Sequence, residues 1–374
     1  MSVKTALIVG GGIYGLTTAW RLARAGVKVT VLEAGSLPNV RGSSYDEHRI
    51  IRHAYGKLEG YARLMPAAFA LWAELWDDLG ASHYAPVGAT YFVRHDDGWR
   101  EPTIAALDEM GVPWRDVPLT DVPERFPMME TAGLQHVVAT QGAGMLFPVR
   151  ILTDLVVHLA GGGVRLVTSA QVTEVDPDRA RATAGGETYE ADALVVATGA
   201  WIDRLAPSLK GRAVPSRQAV LYLAPPAELM RAWSQAPVIV TRGLQGGLYT
   251  MPPRNGARFK VGDHRFSRVG DPDGDRIPTA DDIERVRVLF AEGFREPDRY
   301  TPLEAKACYY TVTEDEAFVI EALGTRGYAV SACSGHGFKL APLVADQLAR
   351  TVMGELPLAA ASAYCAGRLA EAAA

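Results

Sequence analysis

The first part of the chain alternates between apolar runs and a glycine-rich turn. A short apolar run at residues 5–9 precedes the sequence GGGIYG, and the following LTTAWRLARAG carries apolar side chains at helical spacing. The next run, VKVTVL, is rich in β-branched residues and ends at Glu33. Apolar residues that recur every two positions are typical of a strand, and those that recur every 3.6 positions are typical of a helix. This order predicts a βαβ unit.

The rest of the chain alternates between helical and sheet-like stretches. Helical spacing recurs at residues 69–79, 151–160 and 281–292, whereas 86–148 and much of 213–313 contain short strand-like pieces. The strands ALVVATG and GYAVSAC, followed by SGHGFK and a final helix, resume the α/β pattern. We therefore predict a mixed α/β (α+β) fold, in which an antiparallel-sheet substrate domain is inserted into a Rossmann-like cofactor domain. The predicted cofactor domain comprises 1–85, 150–212 and 320–374, and the predicted substrate domain comprises 86–149 and 213–319.

Length and composition narrow the possible functions. With 374 residues, 48% of them hydrophobic and 22% charged, the chain is long enough to form two globular cores. The net charge of −5 argues against nucleic acid as a partner, since phosphate binding needs a basic surface. No apolar stretch reaches the ~18–20 residues that cross a bilayer, and the three cysteines lack metal-ligand spacing. We expect no membrane or metal partner, and a reducing, cytoplasmic location.

The glycines of GGGIYG have the spacing of a dinucleotide-binding turn. Gly10 permits the tight turn, Gly12 lets the backbone approach a pyrophosphate, and Gly15 lets the helix pack closely on the strand. The amino end of the helix offers N–H groups to phosphates. Glu33, 18 residues after Gly15, is placed to accept hydrogen bonds from ribose hydroxyls. The motif predicts a dinucleotide site and leaves the choice between NAD and FAD open.

Four further segments carry a family resemblance. They are RGSSYDEHRIIRHAYG (41–56), FKVGDH (259–264), ACYYT (307–311) and SGHGFK (334–339). In their order and spacing they resemble the monomeric sarcosine oxidase and N-methyltryptophan oxidase family of the D-amino acid oxidase superfamily. The resemblance implies a cytoplasmic monomer with covalent FAD. It also implies oxidation of a secondary amine bearing a carboxylate by O2, which gives an imine and hydrogen peroxide.

The resemblance also implies roles for single residues. It implies a thioether between Cys308 and the flavin 8α-methyl carbon, and it places Lys260 where O2 is reduced. Arg52 and Lys339 would clamp the substrate carboxylate, and His264 would accept a hydrogen bond from the amine. The residues with an implied catalytic role are Arg49, Lys260, His264, Tyr310 and Lys339. The residues with an implied cofactor contact are Gly10, Gly12, Ile13, Tyr14, Gly15, Glu33, Ser43, Ser44, Arg49, Val172, Thr198, Gly199, Trp201, Cys308, Gly335, His336, Gly337, Phe338 and Lys339.

Three positions depart from the sarcosine oxidase pattern. His48 stands where the family has Thr, Thr250 where it has a Tyr at the pocket wall, and Lys57 where it has a Glu on the covering loop. We assign His48 and Thr250 to substrate binding, together with Arg52 and Lys339. Because loss of a phenol ring opens space, we expect an N-methyl or cyclic imino amino acid bulkier than sarcosine.

Three other functions remain open. The same fold serves dehydrogenases that pass electrons to a protein or quinone, and air would reoxidise the reduced flavin of such an enzyme only slowly. A non-catalytic flavin-binding subunit would be yellow, but no amine would bleach it. A nicotinamide-linked enzyme would carry no bound chromophore.

Overall fold

The computed structural model describes residues 3–95, 98–243, 246–274 and 276–372, and the strands in these ranges form four sheets. The strands are β1 (Thr5–Val9), β2 (Lys28–Leu32), β3 (Arg49–Ile51), β4 (Tyr84–Ala85), β5 (Ala89–Val93), β6 (Trp114–Asp116), β7 (His136–Thr140), β8 (Gly144–Leu146), β9 (Arg165–Val167), β10 (Val172–Asp176), β11 (Arg181–Ala184), β12 (Glu187–Glu190), β13 (Ala193–Val196), β14 (Val214–Ala224), β15 (Val238–Gly243), β16 (Gly246–Met251), β17 (Phe259–Asp263), β18 (Thr301–Val312), β19 (Val319–Ala322) and β20 (Gly327–Ser331).

Helices connect the strands and cover the sheets. They are α1 (Ile13–Arg24), α2 (Glu59–Leu79), α3 (Arg100–Glu109), α4 (Val122–Arg125), α5 (Pro148–Gly161), α6 (Ile202–Leu205), α7 (Met230–Gln235), α8 (Ala280–Gly293), α9 (Gly337–Val352), α10 (Leu358–Cys365) and α11 (Leu369–Ala372). Local signals fix some ends: Thr279 and Asp282 form a reciprocal capping box before α8, and Gly80 ends α2 with φ of 68°. None of the described helices combines the length and apolar character that crossing a membrane requires.

The first sheet has the order β19-β20-β13-β1-β2-β9 and is parallel except for the edge strand β19. Buried Ile8 and Leu16 pack β1 and α1 into the same core as Leu340 of α9. The predicted βαβ unit is therefore confirmed as β1, α1 and β2, and the mixed α/β fold class is confirmed. Helix α2 begins ten residues before the predicted 69–79 and continues through Pro66.

The second large sheet has the order β18-β14-β17-β16-β15-β5-β7-β6 and is antiparallel except at the β5–β15 pair. Successive residues of a strand point to opposite faces. In β17, Phe259 and Val261 belong to the core beneath α8, so Lys260 lies on the other face. Two small antiparallel sheets, β10-β11-β12 and β3-β8-β4, complete the fold. The division of the chain into two discontinuous domains stays a prediction.

Candidate active site

A cavity opens at the carboxyl ends of β1 and β2, where the glycine motif lies. Gly10 has a φ of +107°, and a Cβ added there would lie 2.5 Å from the carbonyl oxygen of Ala197. A Cβ on Gly15 would lie 1.9 Å from the carbonyl oxygen of Gly10, so only glycine lets α1 approach β1. Gly10 is therefore needed for the tight turn and Gly15 for the close packing of the helix on the strand, as the sequence predicted.

Glu33 lies at the edge of this cavity and holds its turns together. Its carboxylate accepts hydrogen bonds from the backbone N–H of Gly11 (2.7 Å), the backbone N–H of Gly35 (2.8 Å) and the side chain of Asn39 (2.8 Å). A carboxylate offers about four lone-pair sites, so three donors leave one for a ribose hydroxyl. Ser44 contributes in a different way, because its hydroxyl accepts a hydrogen bond from the N–H of Ile13 at 3.0 Å.

Polar atoms without partners indicate that the cavity suits a polar ligand. The hydroxyls of Tyr14, Thr198 and Ser331 line it, are buried, and have no hydrogen-bond partner within the described ranges. Buried polar groups are normally paired, so these three hydroxyls fit a ligand rich in donors and acceptors. The amino ends of α1 and α9 also meet the cavity, through Gly12 and Gly337. A dinucleotide, with phosphates for the helix ends and hydroxyls for Glu33, fits these groups.

Most of the predicted cofactor contacts line the cavity. They are Gly10, Gly12, Ile13, Tyr14, Glu33, Ser43, Ser44, Arg49, Val172, Thr198, Gly199, Trp201, Gly335, Gly337 and Phe338. The sequence reasoning missed Arg41, Arg204 and Asp273, which also line it. The cluster of cations in 41–57 was a signal for Arg41, whereas no local pattern marks Arg204 or Asp273.

Four predicted cofactor residues do not line the cavity, namely Gly15, Cys308, His336 and Lys339. The His336 imidazole packs edge-on against Tyr61, with ring centroids 4.5 Å apart, and burial lowers its pKa well below the usual value. Cys308 is 9% exposed and lies on the face of β18 that also carries Lys306 and Tyr310.

A buried ionic network lies beside the cavity, around Asp46. The Oδ2 atom of Asp46 is 3.0 Å from the Nζ atom of Lys260 and also pairs with Arg49, which lines the cavity. The Tyr222 hydroxyl donates a hydrogen bond to Oδ1, and the carbonyl oxygen of His48 accepts one from the Lys260 ammonium at 2.9 Å. This network joins residues more than 200 positions apart, and Asp46 was not among the predicted site residues.

A second pair of cations lies around Tyr55. The guanidinium of Arg52 and the ammonium of Lys339 are each 5.1 Å from the centroid of its ring. Neither side chain has a carboxylate partner among the residues that the structure describes. Burial, and then the charge of Arg52, lower the pKa of Lys339 well below the usual lysine value. The two predicted carboxylate-binding residues are therefore brought together, with Tyr55 as a neighbour that the sequence reasoning missed.

His264 and Tyr310 meet at Gly335. A Cβ on Gly335 would lie 2.8 Å from a ring carbon of Tyr310 and 2.9 Å from Cε1 of His264. The His264 side chain is exposed at one edge, and protein atoms, Arg52 and Lys339 surround the rest of its ring. That surrounding protein, followed by the charges of Arg52 and Lys339, lowers the pKa of His264 to about 4. The ring is therefore neutral at physiological pH.

The structure corrects one predicted substrate contact. Thr250 pairs with Val261 and Ile239, both in the core beneath α8, so its side chain faces away from Lys260. The preceding residue, Tyr249, faces the site instead, with its ring centroid 5.8 Å from the Lys260 ammonium. A phenol ring is therefore present at the wall where the sequence reasoning expected none.

His48 lies with the Asp46 network. Its Nε2 atom is 2.8 Å from the carbonyl oxygen of Arg258, and its ring stacks near Tyr222 with centroids 6.5 Å apart. Burial, and then the charge of Lys260, lower its pKa to about 3, so the ring is neutral. Its assignment to substrate binding stays a prediction. Lys57, on the loop before α2, is exposed.

Known proteins are similar to this chain in both sequence and architecture. The family profile described as FAD-dependent oxidoreductase (DAO) matches residues 5–351. The chain belongs to this family. It is 26% identical over 358 residues to monomeric sarcosine oxidase of a Bacillus species, covering 93% of this chain and 91% of that protein. It is 25% identical over 348 residues to N-methyl-L-tryptophan oxidase of Yersinia pestis, covering 91% of this chain and 92% of that protein.

A solved structure extends the similarity to the fold. The open form of NikD, described as an unusual amino acid oxidase essential for nikkomycin biosynthesis, superposes with a TM-score of 0.79. It is 21% identical and covers 93% of this chain and 94% of that chain. As a FAD-dependent oxidoreductase, the chain has a cavity whose glycines, Glu33 and helix ends would hold the FAD. Among the described residues, no group of three His, Cys, Asp or Glu side chains is placed to hold a metal ion.

Proposed function

We propose that this FAD-dependent oxidoreductase oxidises a secondary amine that carries a carboxylate, an N-methyl or cyclic imino amino acid. The observation that carries this proposal is the pair of cations Arg52 and Lys339, which have no carboxylate partner among the described residues. A cation buried without an anion is unfavourable, and a carboxylate ligand would remove that cost. The planar guanidinium can bind both carboxylate oxygens at once, while the ammonium adds a second charge.

The neighbouring side chains suit the amine end of such a substrate. Neutral His264 offers a ring nitrogen that accepts a hydrogen bond from the amine N–H. Tyr310, which touches the same glycine, lines the cavity and connects this position with the cofactor site. Bound FAD supplies the two-electron acceptor. Fixing the carboxylate and the amine at two points orients the reacting C–H bond, and orientation of this kind is worth ~7–11 kcal/mol of a barrier.

O2 is the proposed electron acceptor. The amine loses two electrons and two protons to become an imine, O2 takes them up as hydrogen peroxide, and water hydrolyses the imine to an amine and an aldehyde or keto product. Lys260 and Arg49 supply fixed positive charge on the cavity side of the sheet, where negative charge develops as O2 is reduced. A dehydrogenase with a protein or quinone acceptor is the alternative, and the rate of reoxidation by air distinguishes the two.

A covalent bond between Cys308 and the flavin is also proposed. The placement of Cys308 supports it, since the thiol shares a strand face with cavity-lining Tyr310. To test the bond, the purified protein is precipitated with acid. We expect the yellow colour to stay in the wild-type pellet and to pass to the supernatant in Cys308→Ala. The matched control Cys365→Ala removes a buried thiol that does not line the cavity, and it should keep its colour.

Substrate size needs a direct test, because Tyr249 removes the reason to expect a substrate larger than sarcosine. A panel of N-methyl and cyclic imino amino acids, sarcosine included, is assayed for peroxide next to the corresponding amines without the carboxylate. We expect peroxide from acids of this panel and little from their decarboxylated analogues. Equal rates for both classes would refute the proposal. The cytoplasmic location and the monomeric state remain predictions from the sequence.

A further inference from the structure

Asp46 occupies a position that the proposed reaction does not yet explain. Its side chain is 3% exposed and that of Lys260 is 1% exposed, so the pair is shielded from water. The same carboxylate also pairs with Arg49 and accepts a hydrogen bond from the Tyr222 hydroxyl. One buried anion therefore serves two cations, and Arg49 connects this network to the cavity.

The other groups around Lys260 do not replace this anion. Four charged or titratable groups face Lys260 from the stretch of chain that leads into β3. They are Asp46, Glu47, His48 and Arg49, the first residue of β3. Those that face it from the sheet are Tyr222, Tyr249, Lys306 and Cys308. Glu47 is engaged by Arg258, whose N–H donates to it at 2.8 Å and whose side chain pairs with it.

Opposing effects act on the charge of Lys260. Burial lowers its pKa well below the usual lysine value, and the neighbouring charge of Arg49 lowers it further. The carboxylate of Asp46, 3.0 Å from Nζ, acts in the opposite direction because it stabilises the ammonium form. Without it, Lys260 would face Arg49 and Lys306 in a water-excluded site, and the neutral amine would be favoured.

We propose that Asp46 is a positioning residue whose carboxylate keeps the Lys260 side chain protonated and fixed on the cavity side of the eight-stranded sheet. This rests on the proposed function, in which that charge assists the reduction of O2. Asp46 itself does not line the cavity, so it acts through Lys260 and Arg49.

The test is a pH titration of the visible spectrum of the oxidised, substrate-free holoenzyme from about pH 6 to about pH 10. We expect Asp46→Asn to show a spectral transition about 1–3 pH units below that of the wild type, and Lys260→Met to lack it. Asp263→Asn is the matched control. Asp263 is on the same strand, is 3% exposed and pairs with Arg285 at 2.7 Å, but it faces α8. The spectral transition of Asp263→Asn should occur at the same pH as that of the wild type.

A second measurement separates this inference from the proposed function. The flavin is reduced chemically, without any amine, and mixed with O2 in a stopped-flow instrument across the same pH range. Reoxidation in Asp46→Asn should fall off at the lower pH seen in its spectrum. Slow reoxidation of the wild type at every pH would overturn the oxidase proposal, while the spectral titration would still test the link between Asp46 and Lys260.

The inference is overturned if Asp46→Asn shows no transition in this range, or one at the wild-type pH. If the Asn variant does not fold or bind FAD, Asp46→Glu keeps the charge but moves the carboxylate by one methylene. A smaller downward shift is then expected, and Asp263→Glu is its control. An unchanged transition in Asp46→Glu would count against the inference.

Discussion

Two groups of cations lie close to the cofactor cavity, and they differ in their counter-ions. Arg49 and Lys260 share the buried carboxylate of Asp46, which also accepts a hydrogen bond from the Tyr222 hydroxyl. Arg52 and Lys339 flank the ring of Tyr55 and have no carboxylate partner among the described residues. Both groups include a lysine that is no more than 3% exposed.

The difference indicates what each group is for. A buried cation with its own anion is satisfied before any ligand binds, so the Asp46 network presents a fixed charge to whatever occupies the cavity. A buried cation without an anion costs free energy until a ligand supplies one. The Arg52–Lys339 pair therefore has the properties of a binding site, and the Asp46 network those of a preorganised electrostatic element.

The largest expected effect follows from removing either cation of the unpaired group. Arg52→Gln and Lys339→Met should each lower kcat/KM for a carboxylate-bearing amine about 10²–10³-fold, because a carboxylate bound to two cations then faces one. The loss should be small for the same amine without its carboxylate. Steady-state peroxide assays on the two substrates measure both effects.

Arg63→Gln is a suitable control for these variants. Arg63 is an exposed residue of α2 that pairs with Glu109 at 3.0 Å, so its removal should leave kcat/KM unchanged. An equal loss for the acid and for its decarboxylated analogue would show that Arg52 and Lys339 do not bind the carboxylate. The contrast between the two groups of cations would then lose its functional meaning.

The same substitution at the two buried lysines should change stability in opposite directions. Lys260→Met should lower the free energy of unfolding of the apoprotein by about 2–3 kcal/mol. This loss of stability is smaller than the loss expected when an isolated buried ion pair is broken, because Arg49 and Tyr222 still contact Asp46. Lys339→Met should raise it by about 1–2 kcal/mol near neutral pH, because the folded wild type must either bury an ammonium without an anion or release its proton. Denaturant unfolding of both variants measures these changes.

The gain in Lys339→Met should depend on pH. Since burial lowers the pKa of Lys339 in the folded chain, the unfolded chain binds a proton that the folded chain releases. Wild-type stability therefore rises with pH up to the ordinary lysine pKa of about 10.4, and the advantage of the Met variant shrinks over the same range. A gain that grows with pH would contradict this account of Lys339.

The sequence predicted the parts of the site that depend on local patterns. The glycine spacing and Glu33 follow from a strand, a turn and a helix within about thirty residues, and the structure places them at one cavity. Arg52 and Lys339 were expected together from the family resemblance. The Asp46 network was missed because Asp46 is 214 positions from Lys260, and nothing in the local sequence distinguishes a buried aspartate from a solvated one.

The error at Thr250 has a different origin. Successive side chains of a strand point to opposite faces of the sheet. Choosing Thr250 instead of its neighbour Tyr249 as the wall residue therefore places the side chain on the wrong face. The register of β16 against β17 pairs Thr250 with Val261 and Met251 with Lys260, and it depends on the turn between the strands. Only the structure shows that pairing. The sequence shows that Tyr249 and Met251 share one face of β16, but it does not show which face lies next to Lys260.

The smallest expected effect comes from this same position. Thr250 is fully buried, and its hydroxyl has no hydrogen-bond partner in the described part of the chain. Thr250→Val replaces the unpaired hydroxyl by a methyl among apolar neighbours, so the free energy of unfolding should rise by about 1 kcal/mol. Because the side chain faces α8, kcat/KM should stay within about twofold of the wild type, whereas Tyr249→Thr on the other face should lower it about tenfold. If Thr250→Val changed substrate preference while Tyr249→Thr did not, the register of β16 and the placement of both groups of cations would need revision.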